Sequence, residues 1–92
     1  SSSKEADLAR GHCCLSLSQI ENHRRNDKKC ADWLRDAIRI LQNQHNNNPL
    51  QMGKIQNLLG EKNRLEGDSN GALKEFFTGL ELLTKSNENH QP

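Results

Sequence analysis

The stretch LLGEKNRLEGDSNGALKEFF, residues 58–77, places a glycine between two leucines and a charged run. It breaks at Gly-Asp-Ser-Asn-Gly and resumes with Ala-Leu and two phenylalanines. Apolar residues on both sides of the break recur at three- and four-residue steps, the spacing that builds one face of a helix. Two helices joined by a tight turn are therefore expected. Gly67 suits the end of the first, where a positive φ is commonly needed, and Asp68, Ser69 and Asn70 are cap candidates for the second. Gly60 stands inside a helix, where glycine is about 1 kcal/mol less favourable than alanine. A packing role is the physical reason to keep it there.

Outward from this stretch the same periodicity marks four segments. The first, about 4–22, carries Ala6, Ala9, Cys13, Leu17 and Ile20, widened by Leu8 and Leu15. The second, about 28–45, carries Cys30, Trp33, Leu34, Ala37, Ile38 and Leu41. Met52, Ile55, Leu58, Leu59 and Leu65 mark the third, about 49–66; Ala72, Leu73, Phe76, Phe77, Leu80 and Leu83 mark the fourth, about 70–86. No window alternates as a half-buried strand would, so the fold class is all-α. Asn26 or Asp27 can cap the second helix, and Asn48 followed by Pro49 reads as an N-cap with a first-turn proline. The polar run 43–48 reads as a linker and 87–92 as a frayed tail.

Ninety-two residues make one small domain, with 32% hydrophobic and 27% charged residues. A formal charge of +1 gives no argument for a nucleic acid or an anionic membrane as partner. No apolar run approaches the roughly 20 residues of a membrane span. The chain starts Ser-Ser-Ser without an initiator Met, so a piece of a longer polypeptide is expected, with the serines left out of fold reasoning. Three cysteines, Cys13, Cys14 and Cys30, have no disulfide-framework spacing, and a reducing intracellular compartment is expected: the cytoplasm, with the nucleus left open.

Residues 12–45 overlay residues 54–87 without a gap, at an offset of 42. Leu17 falls on Leu59, Ser18 on Gly60, Cys30 on Ala72 and Leu34 on Phe76; Ala37 falls on Gly79, Ile38 on Leu80 and Leu41 on Leu83. Small residues match small ones and large apolar residues match large ones. Close helix crossings require this, because only small side chains leave room for a partner helix. Leu17/Leu59, Leu34/Phe76 and Ile38/Leu80 are expected to fill the space around those crossings. The organisation is then a first unit at about 5–45 and a second at about 49–86.

Leu59-Gly60, Gly67-Asp68, Ala72, Phe76, Gly79 and Leu80 resemble the tetratricopeptide (TPR) repeat pattern of Leu-Gly, a turn glycine, Ala, an aromatic, a small residue and Leu. Asn63 replaces the usual aromatic of the first helix, and no proline closes the unit. Residues 12–45 match degenerately, with Ser18 in place of glycine and Arg24-Arg25-Asn26 in place of the turn glycine. The offset exceeds the repeat's usual length of about 34 residues and is similar to the longer-helix variants of kinesin light chains. The resemblance implies two antiparallel hairpins stacked as a right-handed TPR-like repeat. It also implies a groove, lined by the first helix of each hairpin, that binds a segment of another protein. Groove residues by that phase are Lys54, Asn57, Glu61 and Arg64 in the second unit, and His12, Leu15, Gln19 and His23 in the first. Leu15, Gln19 and Leu58 depart from the Lys/Asn set that grips chaperone C-terminal carboxylates in some TPR domains.

Chemistry finds little purchase. His12-Cys13-Cys14 with His23 and Cys30 invites zinc, but no C-x₂₋₄-C pair exists and Cys30 sits on an apolar stripe, so structural thiols are the reading. His12 and Cys13 are helix neighbours facing different ways, and no carboxylate orienter or oxyanion loop accompanies them. Gly67-x-x-x-Gly71 lacks the Gly-Lys-Ser/Thr of a phosphate loop. The basic run from His23 to Lys29 reads as a solvated turn, and Trp33 as a core or inter-repeat residue. No enzyme, cofactor, metal or small-molecule substrate is expected. The reading is a scaffold or adaptor module whose partner is another protein or peptide, with self-association or neighbouring repeats as further partners. Two alternatives stand beside it: a three-helix microtubule-interacting-and-transport-like domain, and an architectural helical-repeat segment of a large multidomain protein or kinase.

Overall fold

The computed structural model describes residues 2–43 and 48–89. Four helices form, α1 (Ser2–His23), α2 (Asp27–Gln42), α3 (Pro49–Leu65) and α4 (Ser69–Asn89), and no strand occurs among the described residues. The α4 helix continues past residue 86, where the tail was expected to begin, and α2 stops at Gln42, short of residue 45. Most of the expected linker (44–47) and the end of the tail (90–92) lie outside the described residues.

Local chemistry sets the boundaries. The Asn26 side chain accepts from the Lys29 amide at 3.4 Å, and Asp68 Oδ1 accepts from the Gly71 amide at 2.9 Å. Each satisfies a donor that the first helical turn leaves unpaired. Asn48 Oδ1 accepts from the Leu50 amide at 2.8 Å ahead of Pro49. The other end of each hairpin turn is a Schellman closure. In the first, the Asn26 amide donates to the Glu21 carbonyl at 2.9 Å and the Arg25 amide to Asn22 at 3.0 Å. In the second, Asp68 donates to Asn63 at 2.8 Å and Gly67 to Arg64 at 3.1 Å. Every one of these pairs is displaced by the same offset of 42, so the repeat read from residue size extends to individual backbone hydrogen bonds. Gly67 has φ +85°; its counterpart Arg25 holds φ +58° without being a glycine.

Both hairpins are antiparallel, and α2 packs on α3 to join them. A Cβ on Gly53 would stand 2.7 Å from Leu83 Cγ, and one on Gly60 would stand 2.5 Å from the Phe76 ring. In the first hairpin, a Cβ on Gly11 would come within 2.9 Å of Leu41. Gly11 and Leu41 are the counterparts of Gly53 and Leu83, a second close crossing that lies just outside the overlay window of the sequence. The core is Cys30, Ala31, Leu34, Ala37, Ile38, Ile55 and Ala72. The thinnest extent is 18 Å, about two helix diameters, so each helix keeps a face at the surface.

That thinness corrects several core expectations. The stripe assigned to α1 is not its buried face: Ala6, Ala9 and Cys13 are exposed, Ile20 is 50% exposed, and Gly11, Ser18 and Glu21 are buried instead. Ser18 Oγ satisfies itself by donating to the Leu15 carbonyl at 2.6 Å, which lets a polar residue sit at the crossing. Leu17 and Leu80, expected to fill space beside the crossings, stand out in solvent, as do Leu73 and Phe77. Cys13, expected among the structural thiols, is exposed, whereas Cys14 is half-buried and Cys30 buried. Trp33 is half-buried, and the basic turn 23–29 is solvated apart from the half-buried capping residue Asn26.

Candidate functional site

The first helices of the two hairpins, α1 and α3, do not pack on each other: among the described residues no Cα of one lies within 8 Å of the other. Between them opens a cleft of about 940 Å³. Leu8 and Leu15 of α1 and Leu58 of α3 form apolar walls, with Leu41, Ile55 and Leu83 contributing from the packed hairpins. Leu41 and Leu83 are the leucines drawn against Gly11 and Gly53, so the two glycines help shape the cleft. Lys4, His12, Lys54, Gln51, Asn48 and Asn57 complete the lining, and among the described residues no carboxylate lines it. Its surface therefore combines apolar contact with positive charge and amide donors and acceptors.

Four of the residues placed on the groove by helical phase meet in this cleft: His12, Leu15, Lys54 and Asn57. The other four do not line it. Gln19 and His23 are exposed on α1 nearer the turn, and Arg64 donates to Glu61 at 2.9 Å. That hydrogen bond holds the Arg64 guanidinium pKa above its ordinary value, so its charge is engaged within α3. The register counterpart of Arg64 is Asn22, one position before His23. Periodicity alone missed Leu8, Leu41 and Leu83 as lining residues, because it marks apolar positions without separating core from cleft.

The two shielded thiols, Cys14 and Cys30, are chemically quiet. Burial, reinforced by Asp27 and Glu61, pushes the Cys30 thiol up; burial, then Asp36 and Cys13, does the same for Cys14. A thiol held protonated is a poor nucleophile and a poor metal ligand. Among the described residues no three His, Cys, Asp or Glu side chains gather as a metal site would require, and no helix is long and apolar enough to cross a membrane. No protein-family model, curated protein or solved structure matches the chain.

Proposed function

We propose that this chain is a non-catalytic protein-interaction module of the TPR type, a scaffold or adaptor element that holds a segment of another protein in the cleft between α1 and α3. The observation that carries the reading is the cleft itself. It lies between the first helices of two units related at the level of individual turn hydrogen bonds, and among the described residues it has apolar walls, two lysines and no carboxylate. Such a lining favours an extended or helical segment with apolar side chains beside an acidic group. The quiet thiols of Cys14 and Cys30 favour recognition over covalent chemistry there, and three free cysteines suit a reducing intracellular setting. Four helices support the repeat reading over the three-helix alternative.

The test is a selection of binding segments from a displayed peptide library, followed by titration against cleft variants. Lys54→Glu and Leu15→Asp should each weaken the selected segments by about tenfold or more, the equivalent of about 1.4 kcal/mol. Arg64→Glu should leave them nearly unchanged. Segments that bind equally well to the Lys54 and Leu15 variants would move the binding surface elsewhere.

A further inference from the structure

The interface that joins the two hairpins can be read as a pair of stripes. On α2, Ala31, Arg35 and Ile38 share one face, and Arg35 reaches across to Glu66 at 2.9 Å. On α3, the stripe that ends in Glu66 runs back through Lys62 and Leu59 to Ile55 at steps of four, three and four. Ala31, Ile38 and Ile55 are 3%, 5% and 7% exposed. The offset of 42 gives each stripe a counterpart at an end of the molecule. On α4 the counterparts of Ala31, Arg35 and Ile38 are Leu73, Phe77 and Leu80, which are 54%, 67% and 61% exposed. On α1 the counterparts of Ile55, Leu59 and Lys62 are Cys13, Leu17 and Ile20, all exposed. Leu59 and Lys62 are half-buried and Arg35 stays partly exposed at the rim, so both halves of a partly buried interface are repeated, more fully uncovered, on opposite edges of the same chain.

We propose that a second copy of this chain covers them: α4 of one copy packs on α1 of the next as α2 packs on α3 within a copy. Three features favour this occupant. The six end-stripe side chains together carry the same number of heavy atoms as the six interior ones, with the bulk of Leu73 in place of Ala31 offset by Cys13 in place of Ile55 and Ile20 in place of Lys62. Arg35 and Lys62, two of the three charged members of the interior stripes, are replaced by Phe77 and Ile20, which leaves Arg24, the counterpart of Glu66, as the one charge on the end stripes and makes their apolar part larger and more in need of cover. Where the interior crosses Arg35 with Glu66, the ends offer Phe77 and Arg24, so a guanidinium meets an aromatic ring. The α1 edge also has a depression of about 600 Å³ in which Leu17, Ile20 and Trp33 supply the apolar surface among the charged side chains of Arg24, Lys29, Glu21, Asp32 and Asp36. The half-burial of Trp33 is explained by a place on this edge.

Because the two edges differ, the contact is head-to-tail, and it continues as a ring or open chain instead of stopping at a symmetric dimer. This association does not use the α1–α3 cleft, so it stands or falls separately from segment binding. The experiment is sedimentation equilibrium over about 10 µM to 1 mM, the range in which small interfaces associate. Three proteins are compared: the parent chain, Phe77→Glu and Ile20→Glu, with far-UV circular dichroism confirming helix content. The parent should grow past dimer with concentration. Each variant alone should fall by about tenfold or more in association constant, as loss of a buried interface anchor does. An equimolar mixture of the two variants should restore a one-to-one dimer and stop there, since each keeps the edge the other lacks. A parent that stays monomeric throughout overturns the proposal. So does a dimer abolished by Phe77→Glu and untouched by Ile20→Glu, which would mean that α4 pairs with α4.

Discussion

The second hairpin crosses its helices over Gly60, with Phe76 against it; in the first, the offset of 42 puts Ser18, which is buried, and Leu34 at the corresponding positions. Backbone and turn are the same in both, yet the space between the helices is divided differently. A larger residue on one helix is matched by a smaller one on the other, so the crossing conserves volume while changing residues. Conserved volume can be broken on purpose. Gly60→Ala puts a methyl group where the Phe76 ring stands. Overpacking of about 1–3 kcal/mol outweighs a helix-propensity gain of about 1 kcal/mol. The melting temperature should fall by several degrees, at about 4–8 °C per kcal/mol for a chain of this size. Phe76→Leu, which copies the first hairpin, should recover part of the loss when combined with Gly60→Ala. If the double variant is no better than the sum of the singles, the two crossings are not equivalent solutions to one packing problem.

The turns differ less in volume than in backbone strain. Arg25 and Gly67 hold the same left-handed corner and close it with the same pair of hydrogen bonds. Such a corner is unfavourable for an L side chain by about 1–2 kcal/mol. Gly67→Ala should therefore destabilise by about 1 kcal/mol, since a Cβ there meets open space and only the φ is strained. Arg25→Gly relieves the same strain but frees the unfolded chain, which takes back about 0.5–1 kcal/mol. Its net effect should be neutral to mildly stabilising. Urea midpoints of the two variants measure the asymmetry, and a destabilised Arg25→Gly would mean that the arginine side chain itself supports the turn.

These contrasts show how far the residues alone could be read. The four helices, the Asn26 and Asn48 caps and the offset of 42 follow from spacing and short polar side chains, and the structure has them all. The strained corner at Arg25 carries no local mark, because arginine has no preference for positive φ and only its register with Gly67 betrays it. The buried face of α1 was hidden for another reason. Periodicity finds apolar residues, but that face is built from Gly11, Ser18 and Glu21, residues chosen for size and hydrogen bonding. The apolar stripe beside it, Cys13, Leu17 and Ile20, faces outward. At the cleft, helical phase brings His12, Leu15, Lys54 and Asn57 together. It does not reveal Leu41 and Leu83, whose positions depend on the glycines across from them.

The smallest effect concerns the crossing between hairpins. Arg35 and Glu66 are 46% and 35% exposed, so their pair is screened and contributes about 0.2–1 kcal/mol. Glu66→Arg sets two guanidinium groups near each other and removes the Lys62 contact at 3.3 Å, a loss of about the same size. Adding Arg35→Phe rebuilds inside the chain the aromatic–arginine pairing proposed for its ends. It gives up the Asp32 contact at 2.7 Å, which is exposed and weak. A cation–π contact of about 0.5–1 kcal/mol should bring the double variant back to near parental stability. Raising the salt concentration should then change that stability less than the parent's, because a ring face replaces a carboxylate as the partner charge. A double variant less stable than Glu66→Arg alone would show that an aromatic ring does not fit where Arg35 stands. In that case the interior crossing could not serve as the template for packing α4 of one copy on α1 of the next.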